Sequence, residues 1–241
     1  MPPLEEREAR TEMVRVCRLV YERSYSTGAD GNVTVRLSGG RLLATPSGVH
    51  KGFLEPADLV VVDVGSGRPL QGGEPTSELP MHLAIYRDRP DVHAVVHAHP
   101  IAAVACSLAG LDLEQIVVPE VIFGVGRIVM VPYSTPTTED VPAAVSRHIA
   151  TCDALVLARH GTGTVGPTLI KAFARLETVE HTARIVTLAS QLGHLQPLPP
   201  EEVARLRRIV AGQGAAAEPM EAVIARATAE VIRRLSAEGL S

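Results

Sequence analysis

Val95-Val96-His97-Ala98-His99-Pro100 closes an apolar, alternating run that begins at Asp91. The pattern is that of a buried β-strand. Alternate residues of a strand share a face, so His97 and His99 project side by side, one pleat apart. Two imidazoles so placed can grip one divalent ion, and zinc accepts such nitrogen ligands. Pro100 has no N–H, which ends the ladder, and it suits the first turn of a helix. The pair thus stands at the C-terminal end of a strand, where a site can open to solvent. Taken alone, it reads equally as two polar side chains at a strand end.

The flanks supply the rest of a mixed fold. Upstream, residues 4–24 carry Met13, Val16, Cys17 and Val20 on one helical stripe. Turn formers Gly28, Asp30, Gly31 and Asn32 lead into a strand over 33–37, and Gly39-Gly40 folds that strand into a hairpin with 41–45. A strand follows at 59–64, then a turn-rich connection over 65–73. A helix is expected over about 78–89, with Thr76 or Ser77 as its N-cap and Pro80 in its first turn. Downstream come a short helix at 101–109, apolar runs at 116–123 and 127–131, and a helix over 138–150. An apolar strand at 154–158 ends at Arg159-His160-Gly161. The segment 161–166 reads as a turn into a long helix, 168–192. Pro197, Pro199 and Pro200 then precede two tail helices, at about 200–211 and 219–236. Strands and helices mix without strict βαβ alternation. That predicts an α/β protein, a three-layer α/β/α arrangement around a central, largely antiparallel sheet. The expected organisation is a catalytic domain over 1–196 and a C-terminal helical extension over 197–241.

Composition narrows the class. Hydrophobic residues make up 46% of the 241, enough for a sizeable core, but aromatics only 3%, so aliphatic side chains must fill it. A net charge of −4 and the lack of a long basic run argue against a nucleic-acid partner. The N-terminal Met1-Pro2-Pro3-Leu4 lacks the apolar core of a signal peptide, and no run is long enough to span a membrane. Cys17, Cys106 and Cys152 are odd in number and set in apolar contexts, which suits buried free thiols in a reducing, cytoplasmic setting.

His160 stands at a strand end before Gly161, a position like that of His99. Three histidines from two strand ends leave one coordination position open, as catalytic zinc sites do. Glu78 opens a helix one element before the H-x-H strand; alone, it is a first-turn carboxylate favoured by the helix dipole. Lys51 reads as a second candidate charge for an anion or as a solvated surface lysine.

These pieces occur in order as Gly31-Asn32-Val33, Thr45-Pro46-Ser47-Gly48, Thr76-Ser77-Glu78, His97-Ala98-His99 and Arg159-His160-Gly161. In that order the sequence resembles the class II (zinc-dependent) aldolase/adducin family over about residues 10–195, and most of all its L-fuculose-phosphate aldolases. The resemblance implies a zinc ion on His97, His99 and His160, and Glu78 as the catalytic carboxylate. It implies a substrate phosphate pocket from Asn32, Ser47, Gly48, Thr76 and Ser77. Gly-rich turns and a helix N-terminus fit such a pocket, since they present N–H groups to an anion. The implied activity is that of a lyase of carbohydrate metabolism, cleaving a phosphorylated ketose to dihydroxyacetone phosphate and an aldehyde. A 4-epimerase or decarboxylase on the same metal chemistry, or a non-catalytic adducin-like binding module, are the alternatives. The implied assembly is a homotetramer. The chain departs from the pattern at Ala29, where the aldolases carry a threonine. It departs again in its tail, which lacks the family's tyrosine, so the proton donor to the leaving aldehyde is unassigned. Glu120 lies where the epimerases place an acidic residue, although a surface carboxylate explains it as well. His181 and His194 are the weakest candidates for substrate contact.

Overall fold

The structure is a computed structural model that describes residues 4–212. In chain order its elements are α1 (Leu4–Glu22), β1 (Asn32–Leu37), β2 (Arg41–Ala44), β3 (Val60–Asp63), β4 (Pro69–Gln71), α2 (Leu79–Asp88), β5 (Ala94–Ala98) and α3 (Ile101–Ala109). They continue with α4 (Pro119–Gly124), β6 (Ile128–Val131), α5 (Asp140–Ile149), β7 (Ala154–Leu157), β8 (Gly161–Gly166) and α6 (Leu169–Leu192). One unit ends at Leu198. A second begins at Pro199, and α7 (Pro200–Val210) is its described part. The helix expected over 219–236 lies outside the described residues.

The strands form one eight-stranded sheet in the order β4-β3-β2-β1-β5-β8-β7-β6. Every neighbouring pair is antiparallel except β6 and β7. The H-x-H strand β5 therefore lies near the middle, between β1 and β8. Strand periodicity divides the core into two layers. Val33, Leu43, Val61 and Val96 face α1 and α6, packing on Met13, Val16, Val20, Phe173 and Leu176. Their neighbours in sequence, Leu42, Val60, Val62 and Val95, face the opposite way and pack on Met81 and Ile85 of α2 and Val141 and Val145 of α5. Each fully buried aliphatic side chain contributes about 1.5–3 kcal/mol, so a core with few aromatics is sufficient. The three cysteines are free and buried. Burial pushes the Cys17 thiol up to about 12.

The sequence reading needs three corrections and one addition. The segment 161–166 is the strand β8, wholly buried between β5 and β7, and not a turn. Its glycines and threonines lack the apolar signature of a strand. Instead, Thr162 and Thr164 bury their hydroxyls on the carbonyls of Ala98, Val96 and Ala172. Within the connection 65–73, Pro69–Gln71 forms the edge strand β4, exposed and paired to β3 through an irregular register. Proline is tolerated at such an edge because one side of the strand has no ladder to feed. The N-cap of α2 is Glu78, without a side-chain cap bond, while Thr76 Oγ1 accepts from the Glu78 N–H at 3.3 Å. Part of the apolar run 116–123 is helical, as α4, opened by Pro119 at its first position.

Candidate metal centre and active site

At one end of the sheet's middle, β5 finishes where its antiparallel neighbours β1 and β8 start. Register sets Asn32 of β1 and Gly163 of β8 on either side of His97. His97 and His99 lie on the α2 side of the sheet, since their neighbours Val96 and Ala98 belong to the α1–α6 layer. The β7–β8 connection is a tight turn with Arg159 in the left-handed region, φ 62°, and it carries His160 back toward β5. The N-terminus of α2 brings Glu78 to the same point.

The four side chains converge, with ligand atoms of Glu78, His97, His99 and His160 all within 4.8 Å of one another. His97 Nε2 is 2.9 Å from His99 Nε2 and 3.2 Å from Glu78 Oε2. His160 Nε2 is 3.2 Å from Glu78 Oε1. The Thr162 carbonyl lies 2.9 Å from His97 Nδ1. A carbonyl only accepts, so Nδ1 carries the proton and the Nε2 lone pair points into the cluster. Lone pairs and a carboxylate crowded together in a part-buried space are costly unless a cation lies among them. Three imidazoles and one carboxylate are the donor set of a divalent transition ion such as zinc.

The backbone holds these groups firmly. The His99 N–H donates to Tyr25 O at 2.7 Å, the His160 N–H to Leu157 O at 3.0 Å, and the Arg159 N–H to Ser107 Oγ at 2.9 Å. The buried Glu180 carboxylate accepts from the Ala102 and Ala103 N–H groups at 3.2 and 3.0 Å, capping α3 immediately after the H-x-H-P run. Gly161 is required by space. A Cβ there would stand 2.5 Å from Ala98 O and 2.6 Å from His99 Cδ2. Gly31, at φ 71°, is required twice over, since a Cβ would also meet His97 O at 2.8 Å.

Charge and burial compete at the cluster. Burial opposes the Glu78 charge, but whenever no ion is bound and His97 Nε2 carries a proton instead, the His97 charge and hydrogen bonds from His160, His97 and Asn32 outweigh it and hold the carboxyl well below its usual range. Burial, aided by the charges of His97 and His160, lowers His99 to about 4. Neutral imidazole, the ligand form, is thus the favoured state of His99.

The residues expected to bind phosphate fall in two adjoining loops and the start of β1. The Ser47 N–H donates to Glu74 O and the Thr76 N–H to Thr45 O, both at 3.0 Å, so loops 45–48 and 74–77 run together. Ser47, Gly48 and Ser77 are exposed, whereas Thr76 and Asn32 are buried. Asn32 Nδ2 donates to Glu78 Oε2 at 2.7 Å. Lys51 is not a solvated surface lysine, being 3% exposed. Its Nζ donates to Ala29 O at 2.7 Å and Val49 O at 2.9 Å, and its N–H to Gly28 O at 3.0 Å, so it staples the 28–31 loop to the 47–51 loop. Burial lowers its pKa. Glu120 is exposed in the first turn of α4, and His181 and His194 are exposed.

Two features escaped the sequence reading. His82 is fully buried and bonded to Asn32. The loop after β6 also reaches the site, for Thr137, Thr138 and Glu139 share a cavity of about 40 Å³ with Ser77 and Glu78. Neither shows in spacing, because a helix register and a loop path create both contacts.

Comparison with known proteins agrees with this geometry. Residues 11–187 match the model of the Class II Aldolase and Adducin N-terminal domain. The 3-oxo-tetronate 4-phosphate decarboxylase of Escherichia coli K12 is 34% identical over 206 residues, which is 84% of this chain and 96% of that protein. The L-fuculose phosphate aldolase of Methanococcus vannielii is 38% identical over 176 residues, 72% of this chain and 93% of that one. The crystal structure of YgbL from Escherichia coli superposes with a TM-score of 0.78 at 35% identity, covering 84% of this chain and 99% of YgbL. Among the described residues no helix is long and apolar enough to cross a membrane. The fold, the match over residues 11–187 and these relatives together make the chain a member of the class II aldolase and adducin family.

Proposed function

We propose that this lyase of the class II family cleaves a phosphorylated ketose resembling L-fuculose 1-phosphate, giving dihydroxyacetone phosphate and an aldehyde. The observation that carries the reading is the convergence of Glu78 with His97, His99 and His160 at the mouth formed by β1, β5 and β8. Those four residues would hold the ion, which we take to be zinc, with Glu78 free to leave it when substrate arrives. When bound, the ion supplies a Lewis acid for the substrate carbonyl and its neighbouring hydroxyl. As the bond breaks, the hydroxyl of the departing carbon gives up a proton and the carbon left behind gains one; Glu78, a carboxylate held ionised and within reach, would carry the proton to that carbon. Ser47, Gly48, Thr76 and Ser77 present N–H and hydroxyl donors to the phosphate beside the α2 N-terminus, and Asn32 adds the second hydrogen of its Nδ2. Lys51 keeps the two loops in register from beneath.

A second reading, decarboxylation of a phosphorylated 3-oxo acid, is favoured by the decarboxylase relative, which aligns along 84% of this chain. Both reactions break a bond to a carbon beside a carbonyl and need the same proton return. The separating experiment offers the zinc-loaded enzyme L-fuculose 1-phosphate and 3-oxotetronate 4-phosphate. Release of dihydroxyacetone phosphate from the first supports the aldolase. Carbon dioxide from the second with no cleavage of the first assigns the decarboxylase, and turnover of neither rejects both. The proposed assembly is a homotetramer, which a monomer in sedimentation would overturn.

A further inference from the structure

We infer that His82 is a positioning residue for Glu78, acting through Asn32 at the end of a buried hydrogen-bonded chain. The inference rests on the reading of Glu78 as the proton-transfer group. His82 lies one turn into α2, 0% exposed, with both ring nitrogens engaged. Its Nε2 is 2.5 Å from Asn32 Oδ1, and its Nδ1 is 2.7 Å from Thr34 Oγ1. Thr34 Oγ1 is in turn 3.0 Å from the Tyr86 hydroxyl. Asn32 and Thr34 alternate on the α2 side of β1, and His82 and Tyr86 lie four residues apart on one face of α2. Strand and helix periodicities thus interlock to build the chain.

Its polarity follows from its end. The Glu78 carboxylate is ionised and can only accept, so Asn32 must turn its Nδ2 toward Oε2. Asn32 Oδ1 then faces His82 and only accepts, so His82 Nε2 carries the proton. His82 Nδ1 is left with its lone pair and accepts from the Thr34 hydroxyl, while the Tyr86 hydroxyl, with its one proton, lies 3.0 Å from both that hydroxyl and the Thr34 carbonyl. From Glu78 to Thr34 every donor meets an acceptor in this arrangement. A flipped Asn32 amide would set its oxygen against the carboxylate at 2.7 Å, acceptor against acceptor. Without the His82 donor the Asn32 oxygen is left buried and unpaired, and the amide that positions Oε2 is held from the Glu78 side alone. A position needed only for packing is served more cheaply by an apolar side chain than by a buried polar network. Burial, with the His97 charge, lowers His82 to about 3, which keeps it neutral.

The test compares three variants on whichever of L-fuculose 1-phosphate and 3-oxotetronate 4-phosphate the wild type turns over. His82→Gln carries an amide at the level of Nε2 and can still donate to Asn32. His82→Asn places its amide at the level of Nδ1, and His82→Leu removes both bonds. Expected is a kcat lower by about 10–100-fold in His82→Leu and His82→Asn, KM nearly unchanged, and most of kcat retained in His82→Gln. His82→Gln as slow as His82→Leu, or all three at the wild-type rate, would overturn the inference. A second readout needs neither turnover nor variants that fold well. Histidine ¹⁵N–¹H spectra of the full, metal-loaded wild type should show His82 protonated at Nε2, and an Nδ1–H tautomer would overturn the inference. If neither substrate reacts, the functional reading fails by itself while the tautomer still decides the arrangement of the chain.

Discussion

β7 and β8 are the two arms of one hairpin, both fully buried, and they could hardly be less alike. β7 is Ala-Leu-Val-Leu, a sequence that announces a core strand. β8 is Gly-Thr-Gly-Thr-Val-Gly, a sequence that announces a turn. The difference follows from what each lies against. Leu155 and Leu157 of β7 fill the α2–α5 layer. β8 must leave room instead, for the rings of His97 and His99 beside Gly161, and for the first turn of α6 beside Gly166. Its threonines recover by hydrogen bonding what the strand forgoes in apolar contact. The lesson is that a strand next to a ligand cluster is shaped by the cluster, and its own propensity is overridden.

Substitutions can break or sharpen this contrast, beginning with the largest effect. Gly161→Val should abolish metal binding and turnover together, because its Cβ alone would collide with Ala98 O and His99. Leu155→Ala, its counterpart in β7, should instead lower stability by about 2–5 kcal/mol with turnover per folded molecule unchanged. Elemental analysis with urea melts checks both, and a Gly161→Val enzyme with full metal content would remove the steric argument.

Glu78→Gln separates chemistry from metal holding within the cluster. Three histidines remain, so the metal should stay, while kcat falls on the order of a hundredfold or more. Unchanged turnover would take Glu78 out of the mechanism. Ser77→Ala acts farther out, on the anion. It should raise KM for the phosphorylated substrate by about tenfold, close to 1.4 kcal/mol, and leave the dephosphorylated analogue unaffected; equal effects on both would mean the loops do not bind phosphate.

The smallest effect is in acid. His82 titrates near 3 when folded against 6.5 ordinarily, so below 6.5 the unfolded chain binds the proton first. Its contribution to stability is complete above 6.5 and is lost as pH falls from there toward 3, by at most about 1.4 kcal/mol per pH unit. Urea midpoints between pH 6.5 and 4.5 should fall less steeply for His82→Gln than for wild type; parallel slopes would exclude His82 as the titrating group.

Much of the molecule could be read directly. His97 and His99 were legible because the period of a strand puts i and i+2 on one face whatever surrounds them. Helices α1 and α3 were legible for a similar reason, the apolar stripe of α1 and Pro100 ahead of α3 being local signals. Glu78 and His160 needed the order of motifs as well, since neither has a local signal of its own. Lys51 was ambiguous because a lysine's sequence context does not reveal whether two carbonyls will fold over it.

By itself, then, the sequence determined the periodic elements, the two-histidine strand end and the family to which their order belongs. The tertiary structure decided that 161–166 is a strand, that His160 and Glu78 meet the H-x-H pair, and that Asn32, His82, Thr34 and Tyr86 form one chain. The physical reason is range. Periodicity is set within a few residues by backbone geometry, whereas these contacts join residues as far apart as Glu78 and His160 and exist only once β1, β5, β8 and α2 are packed together.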